Sequence, residues 1–417
     1  MAGGLMQLVA YGAQDVYLTG NPEVTFFQAK YKRHTNFAME NIEQTVNGTA
    51  ANSGRVSVTV ARNGDLVGDM YIELMSVTSN TATSEAVDDC NWVAERAINN
   101  VELSIGGQRI DKHYQKWWRL YSELYLDESK KANWGKMTTA PSGTVYLPLV
   151  FFFNRNPGLY LPLIALQYHE VRIDIDLASD FNTYLDTNVF KVWANYVYLD
   201  TEERRRFAQK GHEYLIEQVQ HTGSDTVTSA QTKQVRLSYN HPVKELVWCF
   251  SNTAARSDLW NFTSKTAGED KIVLESNMLD TNDLSNCFVP VSAVGTPLYA
   301  TGPSTEQYTE EAAGPLSTFK LVLNGQDRFK EQKGKYFNQV QPFNHHSGSP
   351  APGVYAYSFA LKPEEHQPTG TCNFSRIDNA QVAVTMGSTD ATTMHMFATN
   401  YNVLRIQSGM GGLAFSN

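Results

Sequence analysis

A twelve-residue pattern occurs twice in this chain. Residues 101–112 read VELSIGGQRIDK and residues 319–330 read FKLVLNGQDRFK. Each is an alternating apolar run that ends in a Gly-Gln turn followed by basic and acidic side chains. Gly107 and Gly325 lie 325 − 107 = 218 positions apart, too far for a solenoid period and suited to one domain copied once. Other landmarks recur in the same order. MENIEQTVNG (39–48) is echoed by YLIEQVQHTG (214–223), and RVSVTVARNGDLV (55–67) by QVRLSYNHPVKELV (234–247). Beyond the turn, VYLPLVFFF (145–153) matches VYAYSFALK (354–362), HEVRIDIDL (169–177) faces NAQVAVTM (379–386), and FKVWANYV (190–197) faces YNVLRIQS (401–408). Six ordered echoes predict two homologous halves: a segment 1–24, a first domain 25–200, a linker 201–212 and a second domain 213–417.

The period inside each half is two. VSVTV (56–60), VELSI (101–105), VRIDIDL (171–177) and VAVTM (382–386) alternate apolar with polar residues, as half-buried strands of an antiparallel sandwich do. Asn63-Gly64 and Asn324-Gly325 read as turns between such runs. In QKWWRLYSELYLDESKK (115–131), Trp117, Tyr121 and Leu124 share one helical face, so one helix is expected as an insertion in the first half. The largest insertion is a loop at 253–315, rich in Ser, Thr, Asn, Gly and Pro. Loops of that length inside a compact domain lie on an open surface. Strands spaced and duplicated in this way predict an all-β chain of two tandem eight-stranded jelly-roll sandwiches with long inserted loops.

Charge and chemistry narrow the function. The chain carries 34 basic and 43 acidic residues, a net charge of −9, and so lacks the positive field of a phosphate-tracking nucleic-acid binder. Charged residues amount to 18%, below the usual quarter, which suits a surface largely covered by partners. The basic triplet Arg204–Arg206 follows Glu202 and Glu203 in the linker and reads as a solvated hinge. The opening MAGGLMQLVAYGAQD has no positive leader, and Ala2 stands where myristoylation needs glycine. Cys90, Cys249, Cys287 and Cys372 form no C-x-x-C pair and read as free thiols.

No catalytic, cofactor or metal constellation emerges. His345 and His346 are adjacent and fall in what reads as a loop, while His169 and Glu170 open a strand and point to opposite faces, so neither pair shares a metal. Asp174 and Asp176 share one face, which the wet side of a strand explains without acid–base chemistry. The glycines of GMGGLAF (409–415) open no helix and imply no phosphate cradle. Of the sequons at Asn47, Asn261 and Asn373, only Asn261 sits in the long loop and is a candidate for glycosylation. Gly107, Gln108, Gly325 and Gln326 are read as structural turn residues: the glycines supply a positive φ and the glutamines bond the local backbone.

The blocks LVAYGAQDVYLTGNPEVTFF (8–27), GGQRIDKHY (106–114), PLIALQYHEV (162–171), HEYLIEQ (212–218), NGQDRF (324–329), CNFSRIDNA (372–380) and NYNVLRIQSGMGGLAF (400–415) closely resemble the major capsid proteins of nucleocytoplasmic large DNA viruses, with the algal-virus branch nearest. The resemblance lapses in the loops at 78–98 and 253–315. It implies a double jelly roll whose homotrimers form pseudo-hexagonal capsomers. Those capsomers would tile an icosahedral shell with neighbouring capsomers and minor capsid proteins. An inner membrane would lie nearby without being spanned, there would be no direct nucleic-acid contact, and loops could carry covalent glycans. It also implies a virion location, with assembly in the cytoplasm of the infected host cell. The alternative from another class is a tandem β-sandwich glycan-binding protein of lectin type.

Overall fold

The computed structural model describes residues 3–77, 92–140, 142–227, 232–251, 271–273, 289–291, 314–387 and 393–415. Cys90, Cys287, Asn261 and nearly all of the loop at 253–315 lie outside the described residues. The chain divides into two units, Met1–Asn36 and Phe37–Asn417. The first holds two short helices, α1 (Gly3–Val9) and α2 (Val16–Thr19), neither of which has a buried residue. Leu8, Tyr17, Leu18, Phe26 and Phe27 of this unit are exposed.

The second unit contains two sandwiches. In the first, besides two-residue strands at Val46–Asn47 and Leu161–Pro162, eight main strands follow in chain order: β1 (Phe37–Gln44), β2 (Arg55–Thr59), β3 (Leu66–Ser76), β4 (Ile98–Ile105), β5 (Gln108–Tyr114), β6 (Gly143–Pro148), β7 (Val171–Leu177) and β8 (Leu185–Leu199). Eight more build the second: β9 (His212–Thr226), β10 (Lys233–Leu237), β11 (Pro242–Ser251), β12 (Leu316–Leu323), β13 (Gln326–Asp327), β14 (Val354–Ser358), β15 (Ala380–Met386) and β16 (Thr393–Gln407). A last strand, β17 (Met410–Leu413), pairs back on β16.

The sheets run β1-β8-β3-β6 and β2-β7-β4-β5 in the first sandwich, and β9-β16-β11-β14 and β10-β15-β12-β13 in the second. Adding eight to each number of the first pair gives the second pair. Both sandwiches are jelly rolls of one topology. The rungs across three strands also correct the sequence echoes. Val58–Ile173–Leu103 in the first sandwich corresponds to Val235–Val382–Leu321 in the second. Val235 therefore answers to Val58, and Val382 to Ile173.

Period-two patterning produces these layers. In β7, Val171, Ile173, Ile175 and Leu177 are buried, while Arg172 is exposed and Asp174 and Asp176 are half-buried on the other face. Each fully buried aliphatic side chain contributes roughly 1.5–3 kcal/mol through apolar area removed from water. Asp174 accepts from Ser57 and Arg172, and Asp176 binds Arg55 in a bidentate pair. Trp248 anchors the second core, stacked on Phe319 with ring centroids 4.4 Å apart.

The expected single helix at 115–131 is two helices, α3 (Gln115–Leu124) and α4 (Glu128–Thr138). The break has a local cause: Asp127 takes an extended backbone and its side chain accepts from Lys130 N–H at 2.8 Å, capping α4. The linker is likewise no open hinge. It forms helix α5 (Thr201–Gln209), which has no buried residue, with Arg204 paired to Asp65 at 3.1 Å. Strand β13 is only two residues long, whereas its counterpart β5 has seven. Of the stretch around His345 and His346 that reads as a loop, His345 instead ends helix α6 (Gln341–His345), and His346 lies just beyond it.

Candidate functional site: the polar seam between the sandwiches

The two copies of the Gly-Gln turn have the same backbone. Gly106 and Gly107 have φ of 58° and 82°, and Asn324 and Gly325 have 50° and 79°. Positive φ at both central residues is the two-residue hairpin turn that matches strand twist. Their surroundings differ. A side chain at Gly106 would fall within the His169 ring, whereas nothing lies within 4 Å of a Cβ placed on Gly107 or Gly325. Asn324 instead exchanges bonds with Asn379, donating N–H to its carbonyl at 2.7 Å and accepting its N–H at 3.0 Å. Gln108 does not bond the local backbone as the sequence suggested. Its Oε1 accepts from Leu413 N–H at 3.1 Å, on the last strand of the other sandwich. Gln326 is exposed.

That bond belongs to a larger contact. The outer face of sheet β9-β16-β11-β14 is covered by the first sandwich. Strand alternation sends Trp248, Met396 and Tyr355 into the second core, and turns Val247, Phe397 and Ala356 outward into the first sandwich's core cluster. Tyr114 and Trp117, at the start of α3, lie 6.1 and 5.7 Å from the Phe397 ring, and Tyr114 meets His221 edge-on at 5.0 Å. Burial pushes the Cys249 thiol on this face up to about 12.

Polar anchors surround the aromatic patch. Asp111 accepts from Val219 N–H at 3.0 Å, and Gln218 donates to the Ile110 carbonyl. Arg155 donates to Glu217 at 2.9 Å, and Lys244 binds the other Glu217 oxygen at 2.7 Å. Burial would raise the Glu217 carboxyl, but Arg155 and Lys244 outweigh it and hold it below the usual carboxylate value. Burial lowers the Lys244 ammonium, with Glu217 opposing. Further along, Glu123 accepts from Ala351 N–H at 3.1 Å, and Lys131 donates to the Ser349 carbonyl at 2.5 Å.

His346 lies in a loop, as the sequence suggests, and its ring is buried there. Its side chain is 1% exposed and sits between Glu245 and Glu364, with Tyr125 of the first sandwich also bonded to Glu245. Burial alone would lower the imidazole, but the two carboxylates outweigh it and raise it to about 9. His346 is therefore a cation at neutral pH. Its neighbour His345 caps a turn through the Leu361 carbonyl at 2.9 Å. His169 also serves the seam, accepting at Nδ1 from Gly411 N–H at 3.1 Å. Asn47 lies in a two-residue strand and Asn373 caps a short helix at Ser375 N–H. Among the described residues no group of three or more His, Cys, Asp and Glu is placed to hold a metal ion, and no helix is long and apolar enough to cross a membrane.

Buried bonds distributed along this seam fix the angle between the two sandwiches. The fold and the seam together define a double jelly-roll structural subunit. Comparison with known proteins gives the family. Residues 25–200 match the family described as major capsid protein N-terminus, and residues 203–412 match that of large eukaryotic DNA virus major capsid proteins. The major capsid protein of Paramecium bursaria Chlorella virus 1 is 44% identical, with all of both chains covered, and that of Phaeocystis pouchetii virus is 39% identical over the same coverage. A chain of the PBCV-1 virus capsid matches with a TM-score of 0.77 and 40% identity, over 94% of this chain and 100% of that one. The Faustovirus major capsid protein, 13% identical, shares the fold at a TM-score of 0.70 over 97% of this chain and 96% of its own. The chain belongs to the major capsid proteins of large eukaryotic DNA viruses. Its role is structural and its place is the virion capsid; the lectin alternative finds no support.

Proposed function

We propose that this chain acts without catalysis, as a self-assembling tile. Three copies close into a trimer of six similar sandwiches, and these pseudo-hexagonal capsomers pave an icosahedral shell. The observation that carries the reading is the identical strand order of two sandwiches held at one fixed angle, since a single sandwich per chain would give a trimer only three lobes. Residues 25–200 and 213–417 serve as the two lobes, with 201–212 as their connection. The exposed apolar side chains of residues 1–36 suit contact with minor capsid proteins, and Asn261 of the 253–315 stretch is the candidate for carrying a glycan. Assembly takes place in the cytoplasm of the host cell.

Analytical ultracentrifugation at low and high ionic strength tests the trimer. An obligate interface buries on the order of 2,000 Å² or more, so a trimer of the 46.7 kDa chain is expected at micromolar concentration. It should persist in high salt, because screening acts mainly on exposed charges. A monomer in both buffers would refute the reading.

A further inference from the structure

The two ends of the seam treat a histidine in opposite ways. Strand alternation turns Glu245, Val247, Cys249 and Ser251 of β11 toward the first sandwich. Glu245 and Ser251 stand roughly 20 Å apart along that strand. At the Glu245 end, His346 is enclosed by two carboxylates and carries charge. At the Ser251 end two other histidines meet. His395 on β16 is bonded through Nε2 to Ser251 Oγ at 2.9 Å. His221 on β9 donates from Nδ1 to the Met396 carbonyl at 2.9 Å and stacks on Phe397, with ring centroids 4.4 Å apart. The two imidazoles are themselves stacked, with centroids 6.1 Å apart. Tyr114, where α3 begins, closes edge-on against His221, so these rings are part of the contact between the sandwiches.

The groups that face this pair do not favour a proton. Lys116 of α3 disfavours charge on both rings, and Asp225 of β9 favours it on His221. β11 contributes the Ser251 hydroxyl and the Cys249 thiol, the latter on the Cα partner of His395. Beyond Tyr114, Arg109 and Lys112 stand against Glu102 and Asp111, a balanced set. Burial dominates and keeps both imidazoles neutral at pH 7; with Lys116 and His221 it lowers His395 to about 3. Protons still have a route. His221 and Tyr114 line a cleft of about 520 Å³ between the sandwiches, whose rim includes the exposed Arg109 and Asn240.

We infer that the His221–His395 end of the seam is an acid-released joint: protonation of these two rings frees Tyr114 and the start of α3 from sheet β9-β16-β11-β14, while the Glu217 and His346 anchors keep the sandwiches attached. Acid adds no charge to His346, which already carries one, and Glu217 is held below the usual carboxylate value and stays ionised. The sandwiches therefore part at one end and pivot about the other. The direction follows from linkage. A histidine depressed in the closed state contributes stability above its ordinary value near 6.5 and loses it as pH falls below that value. Between pH 7 and 4.5, a ring at 6.5 when open and about 3 when closed shifts the opening equilibrium by up to roughly 70-fold. Partial exposure of His395 reduces this to on the order of tenfold.

The test uses the full chain and reads Cys249, whose buried thiol lies on this face. A pyridyl disulfide labels exposed thiols in acid as well as at neutral pH, and peptide mapping separates Cys249 from the other cysteines. Each rate is divided into that of the urea-unfolded chain at the same pH to give a protection factor. Protection of Cys249 should fall about tenfold or more from pH 7 to about 4.5, while circular dichroism shows both sandwiches folded. The double variant His221→Gln, His395→Gln should keep its protection in acid. Lys116→Met, which removes the neighbouring positive charge, should lose less protection than the parent. Parental protection that does not change with pH overturns the inference, as does a fall seen only where circular dichroism reports global unfolding. A fall of parental size in the double variant also overturns it. Should the double variant not fold, Lys116→Met decides, and a fall of parental size there overturns the inference. A fall abolished by His346→Gln instead would put the joint at the other end of the seam and overturn it as well.

Discussion

Replacing Glu217 by glutamine tests whether the seam acts as an electrostatic unit. The carboxylate receives two cations of different burial. Lys244 is 1% exposed at its side chain and has the Pro363 carbonyl, at 2.6 Å, as its other bonded acceptor. Arg155 is 27% exposed and retains access to water. Glu217→Gln leaves Lys244 a buried ammonium without a counter-charge, at a cost of about 2–3 kcal/mol, while the wetter Arg155 pair adds about 0.5–1 kcal/mol after screening. The expected total is about 3 kcal/mol. Urea unfolding of parent and variant at equal protein concentration reads this as a lower midpoint with an unchanged slope. Lys244→Met should cost a similar amount. The double variant should then cost about as much as either single change, because the second substitution removes a group already stranded. Costs that add, or a Glu217→Gln penalty below about 1 kcal/mol, would refute the reasoning.

His346 should make stability fall in alkali. Its imidazole is raised from an ordinary value near 6.5 to about 9 by Glu245 and Glu364, so its contribution is fully present below pH 6.5 and is lost as pH rises through about 9. Burial and Glu245 push the Tyr125 phenol well above its ordinary value, so it stays protonated across that window. Melting temperatures of the parent should therefore drop between pH 7 and 10, and His346→Gln should flatten that slope; equal slopes would exclude His346 as the source. At the two turns, Gly107→Ala and Gly325→Ala should each cost only the left-handed backbone strain, about 1–2 kcal/mol. Gly106→Ala should cost more, because it also displaces His169 from Gly411. Thermal unfolding of the three variants orders them, and equal losses would contradict the His169 contact.

The strands and turns were legible because their causes are local. Alternation at period two marks β7, and a glycine second in the turn marks both hairpins, since positive φ is forced there whatever lies around it. The break between α3 and α4 was also written locally, in Asp127, but the apolar spacing from Trp117 to Tyr125 hid it. The seam was not legible. Gln108 meets Leu413, and Arg155 meets Glu217, partners that no window of sequence brings together. One signal was available. In PVKELVWCFS, Lys244 and Glu245 interrupt an otherwise apolar run, and β11 is buried on both faces from Val243 to Ser251. Adjacent charges inside such a strand require a partner on each side, and a search for one would have led to Glu217 and His346.

The seam's polarity follows from what a tile must do. Apolar contact is proportional to area and nearly indifferent to direction, so an apolar seam of the same size would hold the sandwiches together while letting them slide or tilt. Hydrogen bonds weaken steeply with small changes in distance and angle. Here they are spread along the contact, from Gln108–Leu413 and Asp111–Val219, through Arg155–Glu217, to Glu123–Ala351. A tilt about any one of them breaks another, so the angle is over-determined. In the proposed trimer the internal angle is repeated three times around a closed ring, and an error in it must be absorbed by the three inter-chain contacts. Buried polar anchors raise the cost of that error, while the aromatic patch between them supplies the area that keeps the two sandwiches together.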